Sequence, residues 1–209
     1  MTIITDVHAQ KRKQFINLVM KYIKPGAGSS VEFLNQRTWI HPVTNLNNII
    51  KQAPFVVVGG VATRLYMPER MTFDLDILVS SEDAELIYQD LAKAKGQKIG
   101  GLSIPGSQWK LEDETFLDVL EGEEDWVIEA IKNPNHAPDG LPIIDLPYLV
   151  LMKFIAGRSQ DLADISRMLG VAKDLQLEQV TNVINKYLPN AVEDLESLII
   201  LGKLEQNNG

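Results

Sequence analysis

Three features of this 209-residue chain predict an α+β fold, with a mixed sheet, flanking helices and a C-terminal helical bundle. Residues 55–79 read FVVVGGVATRLYMPERMTFDLDILV, which gives an apolar strand, a Gly59-Gly60 turn, a short segment and a second apolar strand. A further apolar run, TFLDVLEG at 115–122, supplies another strand. From Asp145 onward the apolar residues recur at helical spacing only. Strands gathered in one stretch and followed by helices make an α+β arrangement. The chain divides on this basis into an N-terminal helical segment (1–44), a sheet-bearing core (45–144) and a C-terminal helical region (145–209).

Taken in order, residues 6–23 are helical, because Phe15, Leu18, Val19 and Ile23 share a face and Lys24-Pro25-Gly26 ends the segment. A loop at 26–30 precedes a short helix over VEFLNQ, which His41-Pro42 breaks. Thr44-Asn45 caps a helix through Leu46, Ile49 and Ile50 that leads into Pro54 and the first strand. After Val79, Ser81 caps a helix with Glu82, Asp83 and Glu85 in its first turn. Lys93, Lys95 and a Gly96 stop end it, the polarity a helix dipole favours. Ala84, Ile87, Leu91 and Ala94 form its buried stripe. GGLSIPGSQ reads as a loop, SQWKLE as a strand, and Glu112 to Glu114 as a hairpin turn before TFLDVLEG. In the C-terminal region the helices run from Asp145 to a Gly157 stop, from Ser159 to Gly170, from Leu177 to Tyr187 and from Ala191 to Leu204.

The chemistry concentrates on the strand that carries Asp74 and Asp76. Successive strand side chains alternate faces, so these two acids share one face while Phe73, Leu75 and Ile77 take the other. Two carboxylates about 6 Å apart repel by roughly 3 kcal/mol at an effective dielectric of about 20. An otherwise apolar strand has no packing reason to accept that repulsion. A hard divalent cation such as Mg²⁺ removes it, since such ions take oxygen ligands. Asp118, a lone acid inside the apolar run of 115–122, is a third candidate ligand. The bland alternatives are acids on the polar face of an edge strand and a glycine pair that only makes a tight turn.

Composition bounds the function. Twenty Lys and Arg against 28 Asp and Glu give a net charge of −8, which argues against extended nucleic-acid binding. No run of 18 apolar residues points to a membrane helix, and no signal peptide is read. The absence of cysteine excludes disulfides, thiolate ligands and a cysteine nucleophile, and fits a cytoplasmic protein. His8, His41 and His136 lie too far apart in sequence to suggest a zinc cluster and read as surface or packing residues. Trp109 and Trp126 read as core or interface residues.

The stretch GGVATRLYMPERMTFDLDILV resembles the signature of the nucleotidyltransferase superfamily that includes DNA polymerase β. More narrowly it resembles the bacterial AbiEii-like and minimal nucleotidyltransferases. Those proteins carry a Gly-Gly turn, a short helix, an Arg-x-Thr-x-Asp-x-Asp strand and a later strand with a third acid. The matching residues are Gly59, Gly60, Arg70, Thr72, Asp74, Asp76 and Asp118. The stretch LVLMKFIAGRSQDLADISRML is similar to the same relatives through Lys153, Arg158, Asp161 and Asp164. The resemblance covers about residues 50–170 and implies a nucleotidyltransferase-like core at 45–144.

What it implies further is transfer of a nucleoside monophosphate from a nucleoside triphosphate to an acceptor hydroxyl on a small molecule, a protein or an RNA. The implied cofactor is Mg²⁺ or Mn²⁺, held by Asp74, Asp76 and Asp118, with Asp118 assisting deprotonation of the nucleophile. Gly59 and Gly60 would let backbone approach the triphosphate, and Arg70, Thr72 and Lys153 would complete the nucleotide site. Lys153 also reads as a lysine snorkelling from a buried helix, and Arg158 with Asp161 and Asp164 as a structural ion-pair network. Where many active relatives place a serine after the glycines, this chain has Val61, leaving phosphate contacts to backbone groups. A toxin-antitoxin or phage-defence role with a cognate partner protein follows from the AbiEii-like resemblance. The second reading is a catalytically silent protein of this fold that binds nucleotide or a partner.

Overall fold

A computed structural model describes residues 2–22, 44–67, 74–137 and 139–206, arranged in two compact units. The described residues between 44 and 65 and between 74 and 145 form a sheet-bearing unit; those of 2–22 and 146–206, with Tyr66 and Met67, form a helical one. The predicted stop at Lys24-Pro25-Gly26, the loop at 26–30, the VEFLNQ helix and His41-Pro42 lie outside the described residues, as do Arg70, Thr72 and Phe73.

In the sheet unit, among the described residues, β1 (Val56–Val58), β2 (Leu75–Ser80), β3 (Gln97–Gly101), β4 (Gly106–Lys110), β5 (Phe116–Gly122), β6 (Asn135–His136) and β7 (Pro142–Ile143) form one sheet. Their order is β3-β4-β5-β2-β1-β7-β6. β2 runs parallel to β5, and β1 parallel to β7; the remaining neighbours are antiparallel, so the sheet is mixed as predicted. β1 is buried throughout, which three consecutive valines between two paired strands require. Alternation is clear on β5, where Leu117 and Val119 are fully buried and Phe116 is exposed.

The first helix of the chain, α1 (Thr2–Tyr22), belongs to the helical unit; α2 (Gly59–Tyr66), α3 (Ala84–Lys93) and α4 (Asp125–Lys132) accompany the sheet. α3 buries Ala84, Ile87 and Leu91, three of the four predicted stripe residues. Its N-cap is Asp83 rather than Ser81. At its end Lys95, not glycine, takes the left-handed conformation at φ +63, and the Gly96 N–H bonds back to the Leu91 carbonyl at 2.8 Å. The segment after Thr44 is a single 3₁₀ turn, Leu46–Asn48, in which the Asn45 side chain accepts from the Asn47 N–H at 3.1 Å.

Four elements differ from the sequence reading. β3 overlaps the predicted loop at Gly100 and Gly101 and otherwise lies where no element is predicted; its residues are exposed, and pairing with β4 alone makes it a strand. α4 presents Val127, Ala130 and Ile131 inward, although no element is predicted there. The two-residue strands β6 and β7, with Ile143 pairing to Val57, likewise have no counterpart among the predicted strands.

The helical unit contains α1, which begins at Thr2 rather than residue 6, together with α5 (Leu146–Ala156), α6 (Ser159–Val171), α7 (Asp174–Tyr187) and α8 (Val192–Gln206). These match the four predicted C-terminal helices. α6 and α8 cross so closely that a Cβ on Gly170 would sit 2.4 Å from the Gly202 carbonyl oxygen, which is why two glycines face each other there. Arg12 of α1 is buried and donates from Nε to Asp194 of α8 at 2.9 Å. No helix among the described residues is long and apolar enough to cross a membrane.

Candidate active site

One row of residues runs across the sheet. Antiparallel pairing sets Val58 of β1 opposite Asp76 of β2. Parallel pairing then sets Asp76 beside Asp118 of β5, and antiparallel pairing sets Asp118 opposite Gln108 of β4. Register partners present their side chains to the same face, so both acids stand abreast on neighbouring strands about 4.8 Å apart. Asp76 and Asp118 are half-buried, while Leu75, Ile77, Leu117 and Val119 on the opposite face are buried. Asp74 lies one residue before β2 and is exposed.

Gly59 closes the row from above. It follows Val58 directly, starts α2 and adopts φ +63, a left-handed conformation that a residue with a Cβ takes at a cost. A Cβ there would fall 1.9 Å from Asp76 Oδ2 and 2.8 Å from its Cγ. The carboxylate of Asp76 therefore lies against the glycine backbone at the strand-to-helix turn. Thr63 Oγ1 donates to the Gly59 carbonyl at 2.8 Å and holds the first turn of α2. Val61 is buried, so this turn offers backbone groups and no hydroxyl at that position.

Gln108 is a site residue that sequence reasoning missed. Its Nε2 donates to Asp118 Oδ1 at 2.9 Å, fixing one carboxylate oxygen with a neutral donor. Only the β4–β5 register reveals the pairing, and no local pattern could have. On the opposite face, Trp109 stacks on Tyr88 of α3 with ring centroids 5.5 Å apart, and its Nε1 donates to Ser107 at 2.9 Å. Trp109 is thus a core residue. Burial and a hydrogen bond to Glu121 push the Tyr88 hydroxyl up to about 12.

The donor chemistry of Asp76 and Asp118 fits a hard divalent cation, because two carboxylates stand side by side. No group of three or more His, Cys, Asp or Glu among the described residues is arranged to hold a metal ion. His136 is exposed on β6.

Lys153 lies in the helical unit, on α5, and is 6% exposed. Its Nζ donates to Asp164 at 2.7 Å and Asp161 at 3.3 Å, both on α6. Arg158 Nε donates to the same Asp161 at 2.6 Å. A cleft of about 420 Å³ in the sheet unit, lined in part by Thr44, Lys93, Lys95, Leu111 and Asp113, contains none of the predicted site residues.

No family model and no curated protein matches this chain. Among solved structures it is similar to ANT(2'')-Ia in complex with adenylyl-2''-tobramycin, at 16% identity over 71% of this chain and 87% of that one, with a TM-score of 0.40. It is similar to an antigenic nucleotidyltransferase-like protein from Paracoccidioides brasiliensis at 14% identity over 73% and 87%, with a TM-score of 0.41. It is also similar to the Thermotoga maritima CCA-adding enzyme complexed with tRNA, at 14% identity over 85% of this chain and 50% of that chain, with a TM-score of 0.40.

Proposed function

We propose that this chain transfers a nucleoside monophosphate from a nucleoside triphosphate to an acceptor hydroxyl on a small molecule, a protein or an RNA. The observation that carries this reading is the register that sets Asp76 beside Asp118, with Gly59 packed against the Asp76 carboxylate. Asp74, Asp76 and Asp118 would hold Mg²⁺ or Mn²⁺, which supplies charge neutralisation at the transferring phosphoryl group when bound. The acceptor oxygen attacks the α-phosphorus, the bond to the bridging oxygen of pyrophosphate breaks, and Asp118 takes the hydroxyl proton. Gln108 orients Asp118 for this by occupying one of its oxygens. Backbone groups of Gly59 and Gly60, at the start of α2, face the triphosphate. Arg70 and Thr72, from the strand signature, complete the nucleotide site.

Lys153, held between two aspartates inside its own unit, is assigned to holding that unit together rather than to phosphate. A phosphate contact would require it to leave both carboxylates. The biological setting we propose is a cytoplasmic toxin-antitoxin or phage-defence system with a cognate partner protein.

A second reading, a silent fold that binds nucleotide or a partner without transfer, is favoured by buried Val61 and by the lack of a three-carboxylate group among the described residues. Calorimetric titration of each nucleoside triphosphate, with and without Mg²⁺, tests the proposal on wild type and on Asp74→Ala/Asp76→Ala. Metal-dependent binding that vanishes in the double variant is expected. Binding indifferent to both metal and variant would favour the silent reading, and no binding to any triphosphate would overturn the nucleotide assignment.

A further inference from the structure

On the acid-bearing face of the sheet, two residues before Asp118 on β5, stands Phe116, which is 48% exposed. It is the aromatic residue among the exposed large apolar side chains described; the others are aliphatic. Alternation puts Phe116 and Asp118 on one face about 7 Å apart and sends Leu117 and Val119 to the other. The parallel register sets Leu75 beside Leu117, so one step back along both strands brings exposed Asp74 beside Phe116. On its other side Phe116 pairs with Lys110, whose Nζ forms an ion pair with Glu114. The ring thus lies beside the acids, about half exposed to water, with Asp74 on one side and Lys110 on the other.

We propose that Phe116 is a positioning residue that stacks on the nucleobase of the triphosphate, an inference that rests on the nucleotidyl-transfer reading of the same site. A phosphate carried at the Asp76–Asp118 pair leaves its base one ribose away, a span matched by the separation of alternate residues on a strand. An aromatic face stacks on any base and gains most from the larger purines, so the site takes every nucleoside triphosphate and prefers purines.

The test is calorimetric titration with Mg²⁺ of ATP, GTP, CTP, UTP and inorganic tripolyphosphate into wild type, Phe116→Ala and Phe116→Trp, with thermal unfolding of each. Phe116→Ala should weaken every nucleotide by about tenfold or more and leave both tripolyphosphate binding and the melting temperature where they are. Phe116→Trp should restore nucleotide affinity, purines first. Nucleotide affinity unchanged in Phe116→Ala overturns the stacking role while metal-dependent binding by wild type keeps the transfer reading. Equal loss of nucleotide and tripolyphosphate, or a lowered melting temperature, overturns it as well, because the ring would then act through the fold. A wild type that binds no triphosphate removes the transfer reading itself.

Discussion

Two pairs of aspartates in this protein, one on a helix and one on neighbouring strands, differ in their surroundings. Asp161 and Asp164 on α6 are buried, and Lys153 and Arg158 meet them with positive charge. Asp76 and Asp118 on neighbouring strands are half-buried, and the hydrogen bond to Asp118 comes from the neutral amide of Gln108. The first arrangement balances its charges from within the unit. The second sets two carboxylates abreast on a half-buried face, a donor set that suits a hard divalent cation. At Asp118 and Asp164 the facing donor separates the two cases, a neutral amide at one and an ammonium at the other.

The largest effect expected from breaking this contrast is at Lys153. Lys153→Ala would leave two buried carboxylates without the ammonium between them, and should cost about 3–5 kcal/mol in denaturant unfolding. Nucleotide affinity of the folded fraction should stay at the wild-type value. A nucleotide defect with unchanged stability would instead return Lys153 to the nucleotide site.

Next comes Gly59→Ala. The added Cβ meets Asp76 Oδ2 at 1.9 Å in a left-handed backbone, so a loss of about 1–3 kcal/mol is expected. Asp76→Ala removes the clash but not the backbone cost. The double variant should therefore fall short of the sum of the singles by about 0.5–3 kcal/mol in a thermodynamic cycle. Strict additivity would mean that the glycine backbone does not rest on that carboxylate.

The strands that bear the acids were legible because their apolar content is dense and their acids break it: VVV, LDILV and FLDVL each announce a buried element. β3 was not, since QKIGG has no alternation and becomes a strand only by pairing at an edge. α4 does carry a local signal, Val127 with Ala130 and Ile131 at helical spacing. β7 is two residues long and owes its existence to the free edge of β1. Within the site, Gly59 was legible as a place where backbone must approach something. That it approaches Asp76, and that Gln108 holds Asp118, follow from register, which no one-dimensional pattern encodes.

Asp90 is the intermediate case, a buried acid in the sheet unit served mostly by neutral donors. Burial alone would raise its pKa, but the Lys51 N–H at 2.7 Å, the Gln52 N–H at 2.9 Å and the Gln52 side chain at 2.6 Å outweigh that and hold its carboxyl below the ordinary value. A depressed folded pKa contributes stability that is present above the unfolded value near 4 and is lost as pH falls through the folded one. Asp90→Ala should cost about 1–3 kcal/mol at neutral pH by leaving those donors unmet. The variant should also lose less stability than wild type on acidification below about pH 4, as read from melting temperature against pH. An acid limb identical to that of wild type would mean Asp90 is not among the groups that set it.

The smallest effect has the opposite sign and tests the contrast most directly. Asp118→Asn keeps an acceptor for Gln108 while removing a negative charge beside Asp76. Because the pair is partly exposed and screened, stability should hold or rise by up to about 1 kcal/mol, and the gain should shrink with added salt. Asp164→Asn, by the same chemistry in the helical unit, should destabilise, since it takes a buried countercharge from Lys153. If both asparagine variants fell by similar amounts, Asp118 would be a structural acid like Asp164. A side chain that the fold already uses to hold itself together is not available to rearrange around a metal.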